Sequence, residues 1–183
     1  MSDSGFTLFE TAIGRCGIAW RPEGIAGLLL PEPDEAASLA WLRRRFPGLA
    51  QAAPPPAVAA AIARIAAFLE GARDDLRDLV LDDSGLGAWE RRVYEEARAI
   101  PAGTTITYGT LAARTGDPAQ ARAVGQALGR NPWPIVVPCH RITAADGRTG
   151  GFSAPGGAAT KLRLLEIEGA LRVENLPLFG GAA

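Results

Sequence analysis

The most informative part of the chain is residues 131–141, which read Asn-Pro-Trp-Pro-Ile-Val-Val-Pro-Cys-His-Arg. The β-branched run at residues 135–137 lies between two prolines, which predicts a short buried strand. His140 is the only histidine in the sequence, and it adjoins Cys139, one of two cysteines. A thiol and a potential base therefore occur side by side, which indicates nucleophilic chemistry at sulfur.

A cysteine reacts as its thiolate, which needs a neighbouring base or cation, and His140 and Arg141 can supply these. Side chains alternate in an extended segment, so we expect His140 to reach the Cys139 sulfur through a water unless the chain turns there. Such a histidine needs an orienting carboxylate. Glu168 shares the apolar face of the last predicted helix with Leu164 and is the candidate partner, whereas Glu166 points outward. Periodicity alone leaves open the alternative that Glu168 reaches solvent at a frayed helix end.

Two short helices are predicted before the reactive stretch. The first covers residues 107–116, and the second begins with Asp117 as N-cap and Pro118 at its first position and runs to about Gly129. This arrangement favours a helix-turn-helix, with an ordinary helical hairpin as the alternative. Residues 91–163 carry 10 basic and 4 acidic side chains although the whole chain has a net charge of −1, so this segment can follow a phosphate backbone or form a solvated basic surface.

The first half of the chain has the alternation and turn residues of an antiparallel meander with helices. The remaining predicted elements are strands at residues 6–11, 16–20, 25–30 and 76–81, and helices at residues 35–46, 58–69 and 89–99. Asp34 is a suitable N-cap and Gly71 a suitable C′ residue for the first two helices. Residues 82–85 are the best candidate for a domain boundary.

Composition limits the classes of protein that fit. The 183 residues are 48% hydrophobic and 21% charged, as in globular proteins. We expect no membrane span and no signal peptide, because long apolar runs and a basic N-terminal stretch are missing. Two cysteines do not make a disulfide framework, which favours the cytoplasm, and Cys16 is interpreted as a core residue. Two cysteines and one histidine cannot form the usual zinc site, so neither metal nor cofactor is expected.

The reactive stretch closely resembles the active-site signature of the O6-alkylguanine-DNA alkyltransferases. The resemblance continues in order, and at family spacing, over about residues 86–170. Its other motifs are Ile100-Pro101-Ala102-Gly103, Thr107-Tyr108, Leu111-Ala112, Ala121-Arg122-Ala123-Val124-Gly125, Gly150-Gly151-Phe152-Ser153 and Leu164-Leu165-Glu166-Ile167-Glu168-Gly169. The N-terminal half is similar only in its layout of strands and helices.

The resemblance implies a role for each matching residue. Cys139 would accept the alkyl group, His140 would act as its base through a water, and Glu168 would orient His140. Asn131 would brace the active-site turn, and Tyr108 would donate to the flipped-out guanine and aid its rotation. Arg122 would fill the gap that the flipped nucleotide leaves in the base stack. The other residues expected at the DNA are Ala121, Ala123, Gly125 and Arg130, and those expected at the base are the Val137 carbonyl, Gly151, Phe152 and Ser153.

The same resemblance implies an α+β fold. An RNase H-like sheet-and-helix domain would cover residues 1–84, a winged-helix-like DNA-binding and catalytic domain residues 85–172, and a tail residues 173–183. The implied function is direct-reversal DNA repair, in which an alkyl group passes irreversibly, once per molecule, from O6 of guanine or O4 of thymine to Cys139. The implied partner is double-stranded DNA carrying O6-alkylguanine, bound by a monomer. Phe152, where the family often has Tyr, and a slightly longer loop at residues 153–157 depart from the pattern and bear on which alkyl groups fit.

Two other functions fit parts of the sequence. A cysteine hydrolase or peptidase would need a histidine well separated from the cysteine, and the chain has no second histidine. A non-catalytic lesion sensor or regulator would not need Cys139. Non-repair relatives carry tryptophan at that position, so the retained cysteine favours chemistry.

Overall fold

The computed structural model describes residues 3–145 and 156–170. Its strands are β1 (Gly5–Phe9), β2 (Cys16–Arg21), β3 (Gly24–Leu29), β4 (Ile106–Thr107) and β5 (Ile142–Thr143). Its α-helices are α1 (Glu35–Arg45), α2 (Pro56–Leu69), α3 (Ala88–Arg98), α4 (Tyr108–Thr115), α5 (Ala121–Gly129) and α6 (Gly157–Ile167), with 3₁₀ turns at Pro118–Gln120 and Cys139–Arg141. The predicted α+β class is confirmed.

The first three strands form an antiparallel meander in the order β1-β2-β3. Alternate side chains of β2 enter two clusters, since Ala19 packs with Leu42 and Phe46 around α1, whereas Ile18 and Trp20 join the larger core that includes α2. Local signals set the helix ends as predicted. The Asp34 side chain accepts a hydrogen bond from the Ala37 N–H at the start of α1, and Gly71 follows α2 with a φ of +100°.

The second half is mainly helical and shares its core with the sheet. One hydrophobic cluster contains buried side chains from Cys16 in β2 through to Leu164 in α6. Two hydrogen bonds join the reactive stretch to β3: the buried Trp133 indole donates to the Ile25 carbonyl over 2.6 Å, and the Leu28 N–H donates to the Pro132 carbonyl over 2.8 Å. These contacts fix the reactive stretch against the sheet. The division into domains at residues 84 and 172 stays a prediction.

Two predicted strands are wrong. Residues 135–137 form a buried turn, in which Ile135 has a φ of +80° and the Val137 N–H bonds back to the Trp133 carbonyl. The flanking prolines supply no N–H groups for a ladder. Residues 76–81 are also irregular, apart from a single bridge between Leu81 and Ile25.

Arg98 explains the irregular course of the second segment. Its Nη2 donates to the carbonyls of Leu76, Arg77 and Leu79, and successive carbonyls of an extended strand point in opposite directions, so this convergence requires a turned backbone. Leu76 itself has a φ of +53°.

Among the helices that the structure describes, none is long and apolar enough to cross a membrane.

Candidate active site and DNA-binding surface

Cys139, His140 and Arg141 form a single 3₁₀ turn and are all buried. The chain therefore turns where an extended course would have placed successive side chains on opposite faces. The turn begins after Pro138 and leads directly into β5, which pairs in parallel with β4 at the start of α4. The reactive cysteine is thus joined through one short sheet to the predicted helix-turn-helix.

Asn131 contacts this turn through its side-chain amide, and the bracing role that the resemblance implied for it stays a prediction. Its side-chain oxygen accepts a hydrogen bond from the Trp133 N–H over 2.9 Å, and its Nδ2 donates to the Val137 carbonyl over 2.9 Å. The same Nδ2 lies 3.4 Å from the Cys139 sulfur. The Val137 carbonyl also accepts a hydrogen bond from the Cys139 N–H over 2.8 Å. The contact expected between this carbonyl and the flipped-out guanine stays a prediction.

The environment of Cys139 favours a neutral thiol in the resting protein. Burial raises the pKa of the Cys139 thiol, while the hydrogen bond from Asn131 and the charge of Lys161 oppose this effect only in part. The thiolate must therefore be generated by proton transfer to a base.

His140 and Glu168 form a buried pair. The distance from His140 Nε2 to Glu168 Oε1 is 2.6 Å, and both side chains are fully buried. Burial alone would raise the pKa of Glu168, but the hydrogen bonds from His140 and Arg141 outweigh it and lower that pKa to about 2. An ionised carboxylate only accepts hydrogen bonds, so Nε2 of His140 carries the proton.

The other ring nitrogen of His140 is therefore the basic one. Nδ1 is buried and has no hydrogen-bond partner among the described residues. Burial lowers the pKa of His140 despite the opposing effect of Glu168. A neutral imidazole with a free lone pair on Nδ1 is the state that a general base requires.

Lys161 is a residue of the site that the sequence interpretation missed. It is fully buried, and its Nζ donates to the Ile142 carbonyl over 2.5 Å and lies 5.9 Å from the centre of the Tyr108 ring. Burial lowers its pKa to about 8, although the nearby Cys139 opposes that shift. A signal was present, because Lys161 precedes Glu168 by seven residues, the spacing that puts two side chains on one helix face.

The helix-turn-helix comprises α4, the 3₁₀ turn and α5. Thr107 caps α4 by accepting from the Thr110 N–H, and Tyr108 is the first residue of that helix. A Cβ on Gly125 of α5 would lie 3.7 Å from the Tyr108 ring. Burial raises the pKa of Tyr108, and a smaller contribution in the same direction comes from Cys139. Tyr108, at the start of the helix-turn-helix, is therefore close enough to Cys139 for the two groups to interact electrostatically.

The residues predicted to contact DNA differ in exposure. Arg122 is exposed on α5, while Ala121, Ala123 and Gly125 are half-buried. Arg130 is exposed just after α5 and forms an ion pair with Glu90 at 3.3 Å. Gly151, Phe152 and Ser153, which were expected to line the base pocket, lie outside the described residues, as do most of the 153–157 loop and the tail at residues 173–183.

Three neighbouring carboxylates could hold a metal ion. They belong to Asp74, Asp75 and Asp78, the one group of three or more candidate ligands in the described part of the chain. Arg64 forms ion pairs with Asp74 and Asp78, so two of the three carboxylates already have a cationic partner.

A buried cysteine beside a histidine–carboxylate pair, joined to a helix-turn-helix, is the arrangement expected of a DNA-binding protein that reacts through a thiol. The family model "6-O-methylguanine DNA methyltransferase, DNA binding domain" matches residues 88–170. The methylated-DNA–protein-cysteine methyltransferase of Methanothermobacter thermautotrophicus is 37% identical over 153 residues, which is 84% of this chain and 78% of the relative. A DNA base-flipping protein of Thermus thermophilus is 45% identical over 107 residues, 58% of this chain and 70% of that protein.

Comparison with solved structures indicates the same family. The Mycobacterium tuberculosis OGT in complex with DNA superposes with a TM-score of 0.72 at 30% identity, covering 91% of this chain and 93% of that one. The chain belongs to the family of methylated-DNA–protein-cysteine methyltransferases. It is a DNA-binding enzyme of direct-reversal repair, which transfers a methyl group from DNA to a protein cysteine.

Proposed function

We propose that Cys139 is the acceptor and that each molecule removes one alkyl group from O6 of guanine in double-stranded DNA. The observation that carries this proposal is the buried chain of contacts from the Cys139 turn through His140 to Glu168. Cys16, the second cysteine, has the Thr11 hydroxyl rather than a base as its hydrogen-bond partner.

The proposed step is a displacement at the alkyl carbon. The thiol proton passes through a water to Nδ1 of His140, and the sulfur attacks as its thiolate while Glu168 stabilises the resulting imidazolium. The new bond joins sulfur to carbon, and the bond between that carbon and guanine O6 breaks. The released electron pair stays on guanine, which takes a proton from the Tyr108 hydroxyl, and the Tyr108 oxygen is then reprotonated by His140 through solvent. The product is a thioether, which neither water nor neighbouring amines cleave under physiological conditions, so turnover is not expected.

Intact-protein mass after reaction with a duplex that contains one O6-methylguanine tests the acceptor. We expect a single gain of about 14 Da, the net addition of one CH₂, mapped to Cys139. Cys139→Ala should show no gain, and Cys16→Ala should retain it. Lesion binding without any mass gain would overturn the proposal and leave the lesion-sensor interpretation.

On the DNA side, we propose that α5 enters the minor groove and that Arg122 occupies the space of the flipped nucleotide. The target atom is inaccessible in a stacked duplex, so the base must rotate out at a cost of a few kcal/mol. An inserted side chain offsets part of that cost. The half-buried Ala121, Ala123 and Gly125 leave the surface of α5 low enough for close approach.

The contribution of Arg122 should depend on base stacking. Arg122→Ala should slow repair of a duplex by about tenfold or more, because each 1.4 kcal/mol of lost stabilisation is a factor of ten. It should slow repair of the same lesion in a single strand much less. Arg73→Ala, which removes an exposed charge from the N-terminal half, is the control. Equal slowing on both substrates would indicate only phosphate binding.

We further propose that the protein acts as a monomer in the reducing cytoplasm. A reduced thiol is required for the reaction, and Cys16 and Cys139 are both free cysteines. Sedimentation with and without duplex DNA tests the stoichiometry, and two protein copies on a short duplex with one lesion would contradict it.

A further inference from the structure

The carboxylate of Glu168 has a second buried partner besides His140. Arg141 Nε lies 3.0 and 2.9 Å from its two oxygens, and Arg141 Nη2 lies 2.8 Å from Oε1. The same guanidinium donates through Nη1 to the Ile100 carbonyl over 2.6 Å, and Arg141 is only 2% exposed. Oε1 therefore accepts hydrogen bonds from His140 and from Arg141 together.

This sharing has an electrostatic consequence for His140. A carboxylate alone raises the pKa of a neighbouring histidine and favours the imidazolium. An imidazolium cannot take the thiol proton. The Arg141 cation binds the same oxygen atom, so it partly neutralises Glu168 and repels a positive charge on the imidazole.

We propose that Arg141 is a positioning residue that acts together with burial to keep His140 neutral, and therefore able to accept a proton, in the resting protein. The inference rests on the proposed role of His140 as the base. Arg141 acts through Glu168. The guanidinium of Arg141 fixes the orientation of the Glu168 carboxylate by hydrogen bonds, and its positive charge limits how strongly that carboxylate favours protonation of the His140 imidazole. The charged groups that face His140 are Glu168 at the end of α6, Lys161 on α6 and Arg141 in its own turn. The Cys139 thiol precedes it in that turn. Lys161 acts in the same direction as Arg141.

The sole histidine of the chain makes a direct measurement possible, because the NMR titration of the imidazole contains one residue. In the unmodified protein, His140 should titrate below the ordinary value of about 6.5 despite its contact with a carboxylate. In Arg141→Gln the pKa should rise by about 1 or more, and in Arg141→Lys, which keeps the charge, it should stay low. Arg163→Gln is the control. It removes an exposed cation of α6 that forms an ion pair with Glu166, and it should leave the pKa of His140 unchanged.

The rate of methyl transfer should follow the same pattern. In Arg141→Gln the acid limb of the pH profile should move upward with the His140 pKa. If that pKa rises by about 1, the rate on the acid limb should fall about tenfold, because the fraction of neutral imidazole falls by that factor. A purely structural role would lower the rate equally at every pH.

Two results would overturn the inference. One is a wild-type His140 that titrates at or above 6.5, which needs no variant, and the other is an equal rise of the pKa in the Lys and Gln variants. Failure of Cys139 to gain mass would instead refute the proposed function, because the titration does not depend on DNA.

Discussion

The substitution Glu168→Gln tests how much the buried pair contributes to stability. It keeps the shape of the side chain but removes the charge that compensates Arg141. Glu168 has a pKa of about 2 in the folded protein against an ordinary 4.5, and a difference of that size is worth about 3 kcal/mol of folding free energy. Removing one partner of a buried ion pair costs about the same, roughly 3–5 kcal/mol. We therefore expect Glu168→Gln to lower the free energy of unfolding at pH 7 by about 3 kcal/mol.

Urea unfolding followed by tryptophan fluorescence is a suitable assay, because Trp133 is buried against the sheet. Glu166→Gln is the matched control: Glu166 lies two residues away, is exposed and pairs with Arg163 over 2.7 Å, and surface pairs of this kind contribute less than about 1 kcal/mol. Similar losses in the two variants would refute the assignment of Glu168 to a buried pair.

The difference between wild type and Glu168→Gln should also depend on pH. Because the folded-state pKa of Glu168 is depressed, its contribution is fully present above 4.5 and is lost as the pH falls towards 2. By pH 3 the difference in unfolding free energy should have narrowed by about 2 kcal/mol. A difference that stays constant from pH 7 to pH 3 would show that the loss arises from packing rather than from charge.

Three further outcomes follow from single contacts. Gly125→Ala should raise the free energy of unfolding by up to about 1 kcal/mol, since alanine favours a helix and the new Cβ would lie at an ordinary 3.7 Å from the Tyr108 ring. The same change should weaken duplex binding in a titration, because the added methyl group would hinder the close approach of α5 to DNA. Unchanged affinity would show that the close approach occurs elsewhere. Trp133→Phe should cost about 1 kcal/mol in urea unfolding, the net value of one buried hydrogen bond, because the Ile25 carbonyl keeps its second bond from the Asp82 N–H; a loss under about 0.5 kcal/mol would contradict this. Iodoacetamide at pH 7 should leave Cys16 unmodified in the folded protein, because burial raises its pKa to about 11, and rapid labelling detected by peptide mass would be the contrary result.

The parts of the fold that local chemistry specifies were predictable from the sequence. The Asp34 side chain caps the start of α1, and the positive φ of Gly71 stops α2. The predicted limits of these helices therefore agree with the structure within about one or two residues. The turn at residues 135–137 was not predictable in this way. A β-branched run favours a strand, and here distant hydrogen bonds from Asn131 and Trp133 override that preference.

The candidate site shows the same division. Helical periodicity placed Glu168 on the apolar face, but it could not show whether the helix end is covered, because that depends on Arg141 and Gly103, which reach it from other elements. Lys161 was missed although the same periodicity applies to it. A lysine is usually exposed, and only tertiary packing makes this one buried.

A comparison of the two cysteines shows which surroundings set Cys139 apart as the candidate nucleophile. Both are buried, and burial raises the pKa of both thiols, so low accessibility and a neutral resting state do not distinguish them. Cys139 differs in its neighbours, because an imidazole with a free Nδ1 follows it and an amide donor lies at its sulfur. Under the proposed function each molecule reacts once, so a thiol that ionised freely would be lost to any soluble electrophile. On that proposal, burial protects the acceptor, and proton transfer to His140 makes it reactive when a DNA base that carries an alkyl group is in place.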